Sequence, residues 1–293
     1  MTDNGNVITD RIKKAADALK QLRPVYAPLL SFYEQIFIAQ ENSKADIDLD
    51  PIQISEEIVA LKRNEALPLI NLSDFIVDAE AGKELLIKIC KIIKVANPEM
   101  ADSAKAILKA VGDKITPKTL FAALLNGDDV YFQKTAENAH TDKNALAFVV
   151  YNSMKPSLVL CAEQLSNYPG AAEKWEKEYC PICGSYPGIS MLDTDGNRLL
   201  CCSFCWHEWE AARNICPYCG NDDRKTHRYF YSDEEKSYRV DVCESCNKYI
   251  KTVDKRQAER SIYPPLEQVS TLHLDIKAQE LGFESGIQLH LKF

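Results

Sequence analysis

The sequence predicts a multidomain chain: an N-terminal all-α helical domain, two tandem metal ribbons of four cysteines each, and a C-terminal helix. Three observations carry this reading. Apolar residues recur at helical spacing up to about residue 170. Four Cys-x-x-Cys pairs, Cys180/Cys183, Cys202/Cys205, Cys216/Cys219 and Cys243/Cys246, lie within 67 residues. The motif Cys-Pro-x-Cys-Gly occurs at 180–184 and again at 216–220, an offset of 36 residues that reads as an internal duplication. The expected boundaries are 1–170 for the helical domain, 171–212 and 213–262 for the ribbons, and 263–293 for the last helix and tail.

In the helical part, Ile12, Ala15, Ala16, Leu19 and Leu22 form a first stripe, which Pro24 ends. Leu29, Phe32, Tyr33 and Ile36 form a second. Asp50-Pro51 is expected to open a helix through Ile54, Ile58 and Leu61, with proline in the tolerated first turn. Leu85, Leu86, Ile89, Ile92 and Ile93 make a strong stripe opposite Lys88, Lys91 and Lys94. Asn97-Pro98 and Thr116-Pro117 open two more helices. A long run from 144 to 165 is expected to break near Lys155-Pro156, since proline disfavours helix before it. No His, Ser, Asp or Cys cluster stands at catalytic spacing here. His140 reads as a surface side chain, and Cys90 and Cys161 as small buried hydrophobes.

A two-residue spacer lets one tight turn point both sulfurs at a single ion, and two such turns complete a tetrahedral set of soft ligands. Eighteen residues separate Cys183 from Cys202 and 23 separate Cys219 from Cys243, each gap spanning a hairpin. The strands 189–192 and 199–202 flank a turn with Asp195-Gly196; 229–231 and 238–242 flank a polar turn. Sequential pairing therefore gives one site from Cys180, Cys183, Cys202 and Cys205 and another from Cys216, Cys219, Cys243 and Cys246. A crossed pairing, first with third and second with fourth, is the alternative. Modules of some 36 residues bury too little core to fold unaided, and a structural ion supplies on the order of 10 kcal/mol. Four filled positions leave none for water, which favours structural over catalytic metal.

The composition bounds the partners. The chain has 293 residues, 46% hydrophobic, and a net charge of −8. Residues 180–255 carry 10 Lys or Arg against 12 Asp or Glu, so the ribbons lack the basic field that nucleic acid requires. No apolar run approaches 18 residues without a charge, so no membrane insertion is expected. The polar start carries no secretory signal, so a cytoplasmic location is expected and disulfides are disfavoured.

Beside the knuckles, Cys201 should face away from the ion, being next to ligand Cys202 on a strand. His207 and His227 are left as neighbours or surface groups, because eight thiolates already fill two sites. Trp206 and Trp209 either pack the ribbons or anchor a partner. The stretch 250–262 reads as basic and exposed, and Leu266, Val269, Leu272, Leu274, Ile276 and Leu281 as one helix ending at Gly282.

The run Cys202-Ser-Phe-Cys205-x-x-Glu208-Trp209-x-x-x-Arg213-x-x-Cys216-x-x-Cys219 resembles the signature of the FdhE family, the formate dehydrogenase accessory proteins. Trp175 ahead of Cys-Pro-x-Cys-Gly-Ser, Tyr249-Ile-Lys251 after Cys246, and Leu272-His-Leu-Asp275 ahead of Gly282-Phe283 extend the resemblance over about 120 C-terminal residues. It implies two rubredoxin-like ribbons, each holding one iron or zinc ion. It also implies a non-enzymatic, cytoplasmic maturation factor that binds the catalytic subunit of formate dehydrogenase. Trp206, Trp209 and Arg213 are then candidate client contacts. The tail from Gly286 onward departs from the family's pattern. A rubredoxin-like electron-transfer or redox-sensing protein is the alternative, since the same thiolates hold iron.

Overall fold

A computed structural model describes residues 2–168, 175–231 and 235–287, with side chains from residue 7 onward. It divides into two compact units, one formed by Met1–Ile52 with Leu72–Cys161 and the other by Gln53–Asn71 with Ala162–Gln288.

The first unit is helical: α1 (Thr2–Leu22), α2 (Ala27–Ser43), and, beyond a helix α3 that belongs to the other unit, α4 (Ala79–Ala96), α5 (Ala101–Ala110), α6 (Pro117–Leu125), α7 (Asp129–Ala139) and most of α8 (Lys143–Ser166). The predicted stripes face its core: Ile12, Ala15, Ala16 and Leu19 on α1, Phe32 and Ile36 on α2, and Leu85, Leu86, Ile89 and Ile93 on α4 are all buried. Asp78 caps α4 by accepting from the Glu80 and Ala81 amides at 3.0 Å, satisfying donors that have no partner inside the helix. His140 is exposed in a left-handed conformation at the end of α7. Burial pushes the Cys90 and Cys161 thiols up to about 12 and about 11, so both stay protonated and packed.

The expected break at Lys155-Pro156 does not occur, and α8 runs unbroken through Pro156. Proline lacks the N–H that would bond the Asn152 carbonyl one turn back. That carbonyl instead accepts from Gln40 Nε2 at 2.8 Å, so a neighbouring helix supplies the missing donor. By length and composition α8 could cross a bilayer, but 78% of its apolar window is buried in the fold.

In the second unit, α3 (Glu56–Asn64) starts five residues later than Asp50-Pro51 suggested, because the Ser55 hydroxyl caps it at the Ile58 amide. Ile58 and Leu61 are exposed and Val59 is the buried residue. This unit also holds a sheet of β1 (Pro187–Leu192), β2 (Arg198–Cys202), β3 (Glu208–Ala211), β4 (His227–Phe230), β5 (Tyr238–Cys243), β6 (Lys248–Asp254) and β7 (Glu284–Ser285). Each predicted hairpin is present, β1 with β2 and β4 with β5, and the Asp193 carboxylate closes the first turn on the Asp195 and Asn197 amides. The turn residues 232–234 of the second hairpin, and Pro169-Gly170 of the expected linker, lie outside the described residues.

The order β3-β2-β1-β6-β5-β4 joins the two ribbons into one sheet through a parallel pairing of β1 with β6. The expectation that 250–262 is exposed is therefore wrong at its start. Ile250, Lys251, Thr252 and Val253 are buried in β6, the strand between the two halves. One apolar cluster gathers Ile189 and Met191 of β1, Val240 and Val242 of β5, Val253 of β6 and Leu274.

The single C-terminal helix is also corrected. Two short helices, α9 (Pro264–Ser270) and α10 (Leu272–Glu280), meet at non-helical Thr271, whose hydroxyl turns back to the Glu267 carbonyl at 2.7 Å. Only Leu266 and Leu274 of the predicted stripe are buried, while Leu272, Ile276 and Leu281 face solvent. The break serves a buried lysine. Lys251, 4% exposed, donates to the Gln268 carbonyl at 2.8 Å and pairs with Asp275 at 2.6 Å, while the Tyr249 hydroxyl donates to the same carboxylate at 2.9 Å.

Removing one partner of such a pair strands the other charge. Asp275→Ala is expected to lower stability by about 3 kcal/mol, and the double variant Lys251→Met/Asp275→Ala to recover most of that loss. Urea unfolding of the three proteins measures both numbers.

Candidate metal centres

Each Cys-x-x-Cys turn is built by its own backbone. The Cys180 amide donates to the Ser185 carbonyl at 2.8 Å and the Gly184 amide to the Cys180 carbonyl at 2.9 Å. Thirty-six residues on, the Cys216 amide donates to Asn221 at 2.9 Å and the Gly220 amide to Cys216 at 3.1 Å. The residue after the second cysteine is left-handed in all four turns: Gly184 at φ +75°, Trp206 at +61°, Gly220 at +71° and Asn247 at +58°. Glycine adopts this conformation freely and asparagine tolerates it. A bulky side chain is held there only by its surroundings, at a cost on the order of 1–3 kcal/mol. The glycines were readable from sequence; Asn247 gave a weak signal and Trp206 none.

The turns bring the cysteines together as the sequential pairing requires. Cys180, Cys183, Cys202 and Cys205 form one group and Cys216, Cys219, Cys243 and Cys246 the other, with all sulfurs in a group within 4.8 Å of one another. The crossed pairing is excluded. In the first group Cys180–Cys205, Cys183–Cys202 and Cys183–Cys205 sulfurs stand 3.7, 3.6 and 3.7 Å apart. In the second, Cys216–Cys246 and Cys219–Cys243 are 3.7 and 3.9 Å apart. Disulfide sulfurs lie about 2.05 Å apart, so these are not disulfides. A tetrahedron with metal–sulfur bonds of about 2.3 Å has edges of about 3.8 Å, which these separations match. The donor set and its spacing thus fit one thiophilic ion per group.

The two groups differ in access. All four cysteines of the first are buried, whereas Cys219 is exposed and Cys246 half-buried in the second. The Phe204 and Cys205 amides point at Cys202 Sγ from 3.3 and 3.4 Å, a way of softening thiolate charge without a side chain. Asn221 bridges the second group's surroundings, its Nδ2 lying 2.6 Å from Thr226 Oγ1, 3.2 Å from His227 Nε2 and 3.9 Å from Cys243 Sγ. His227 therefore stands beside the centre, outside the sulfur set. His207 stacks on Trp209 with ring planes 6° apart, and burial holds its imidazole below its ordinary pKa. Cys201 faces the apolar cluster, as its strand position requires.

The candidate contact residues part ways. Arg213 is exposed, and Trp206 is half-buried with its ring edge-on to Tyr263. Trp209 is 5% exposed, opposite Leu200 on β2, and its indole N–H has no hydrogen-bond partner. Alternation along β3 turns Trp209 inward and leaves Glu208 and Glu210 outward, so this ring cannot be presented to a partner. Tyr218, buried in the third turn, donates its hydroxyl to the Pro187 carbonyl of β1 at 3.1 Å and thereby ties the two ribbons together.

Comparison with known proteins locates this geometry. A family model described as FdhE, central domain, matches residues 179–213. The chain is 27% identical to a protein FdhE homolog of Aquifex aeolicus over 270 residues, 90% of this chain and 88% of that protein. It is 26% identical to the protein FdhE of Escherichia coli O1:K1 over 199 residues, 66% of this chain and 60% of that protein. The crystal structure of the FdhE protein from Pseudomonas aeruginosa superposes with a TM-score of 0.69 at 19% identity, covering 97% of this chain and 96% of that one, and so shares its fold.

Unequal access predicts unequal release. A competing chelator added to metal-loaded protein is expected to withdraw one equivalent rapidly and the second at least tenfold more slowly. Cys219→Ser should abolish the fast phase alone, and Cys205→Ser the slow one, as read by metal release against time.

Proposed function

We propose that this chain is a formate dehydrogenase accessory protein of the FdhE family: a maturation factor that binds the catalytic subunit and performs no chemistry on it. The observation carrying this reading is the linked pair of four-cysteine centres with Glu208, Trp209 and Arg213 between them, within and beside the stretch matched as the FdhE central domain.

Each bound ion, iron or zinc, supplies a rigid cross-link between two turns. Four sulfurs complete a tetrahedral ion and leave no position for a substrate, which supports a structural role. The protein's own residues then present the docking surface. β3 is a terminal strand of the sheet, flanked by half-buried Trp206 and exposed Arg213. Trp209 backs that strand from the inner face and acts through rigidity rather than contact. In this reading the protein works in the cytoplasm, on a client not yet finished.

The alternative, a rubredoxin-like electron carrier, draws on the exposure of Cys219, since an accessible ligand shortens the path to a redox partner. Metal analysis separates the two: zinc in both centres would remove it.

Pull-downs with the catalytic subunit test the docking surface. Trp206→Gly, which removes the ring at a position glycine tolerates, and Arg213→Glu are each expected to reduce capture at least fivefold with little change in Tm. Trp209→Ala should instead lower Tm. Capture undiminished in both of the first two variants would sink the assignment.

A further inference from the structure

Beside the second cysteine group lies a cavity of about 270 Å³, with Cys216 and Cys243 in its wall. Its charge is out of keeping with the chain. Of the ten Lys and Arg in residues 180–255, six line it: Arg198, Arg213, Arg224, Arg228, Arg239 and Lys248. Of the twelve Asp and Glu in the same stretch, only Asp241 does. Arg228 pairs with Glu244 at 3.3 Å and Arg239 with Asp241 at 2.9 Å. Arg213, Arg224 and Lys248 have no carboxylate partner among the described residues.

The buried member is the most informative. Arg198, 4% exposed, donates from Nε to Ser190 Oγ at 3.0 Å and from Nη1 to the Ile215 carbonyl at 3.2 Å. Its Nη2 is buried with no hydrogen bond, the Asp241 carboxylate standing off at 3.8 Å. Buried donors are nearly always satisfied, and a charged one left bare is costly. A guanidinium fixed by two bonds, with its remaining donor unmet among other cations, is the arrangement that an oxyanion completes. Balancing the thiolates does not account for it. Four thiolates around a divalent ion carry a net charge of about −2. The Arg198 fork bonds a hydroxyl and a carbonyl rather than a sulfur.

We infer that this cavity binds the phosphate group of a small phosphorylated molecule. Several guanidinium forks converging on one space suit a multivalent oxyanion better than a single carboxylate. The volume lies just under the ~300 Å³ at which small-molecule sites begin. The chain's net charge of −8 opposes an extended polyanion such as nucleic acid. The cavity shares Arg213 with the proposed client surface, but the proposal rests on Arg198, Arg224 and Lys248, which that surface does not use, and so it stands or falls separately.

Titration calorimetry on metal-loaded full-length protein tests this, with inorganic phosphate and pyrophosphate as probes and citrate as the carboxylate control at fixed ionic strength. Pyrophosphate is expected to bind once per chain, at least tenfold more tightly than citrate. Binding should weaken at least tenfold in Arg198→Lys and in the less buried double variant Arg224→Ala/Lys248→Ala, with metal content unchanged. No heat beyond a chloride control, citrate binding as well as pyrophosphate, or variants that bind as the unaltered protein does would each overturn the proposal. So would variants that lose metal, since the cations would then serve the thiolates alone.

Discussion

Three residue pairs between β1 and β6 decide what kind of object the C-terminal half is. Ser190 with Thr252, Met191 with Val253 and Leu192 with Asp254 run parallel and convert two four-cysteine ribbons into one sheet. Without that seam each ribbon would own only three short strands, too few to bury a core. With it, side chains from both halves share one apolar face, which α10 covers with Leu274 and Ala278. The cysteine groups gather the turns; the seam gives the turns a common frame.

The polar groups of this half are organised by the same requirement. A lysine in the central strand must find partners inside the protein, and the break between α9 and α10 frees carbonyls for it. Glu267, fully buried on α9, is met by Arg260 and by the Tyr238 hydroxyl at 2.5 Å. Tyr249 and Lys251 of β6 and Asp275 of α10 thus form one hydrogen-bonded set. Removing one member costs more than its share, because the others remain buried.

Much of this was legible in the chain. Two-residue spacing between cysteines and hairpin-length gaps gave both sulfur groups, because a tight turn permits few other arrangements. Helical periodicity gave the buried faces of α1 and α4. Long-range pairings were not legible. Nothing local announces that 252–254 lies against 190–192, and the strand's lysine made an interior strand look like a surface. Proline at 156 pointed to a break, yet a glutamine 116 residues earlier in the sequence removed the reason for one. Trp209 read either as packing for the ribbons or as an anchor for a partner; the two-residue period of an edge strand turns it inward and selects packing.

The 36-residue repeat invites a picture of two portable fingers, copied and placed in line. The seam argues otherwise. Arg198 begins in the first ribbon and ends at the Ile215 carbonyl of the second; Tyr218 makes the reverse journey to Pro187. Each ribbon completes the other's backbone and core. A gene fragment ending between Ala212 and Arg213 would encode a ribbon with a bare strand edge and an open apolar face. Domain shuffling could move the pair as a whole, but recombination through its middle would find no viable joint.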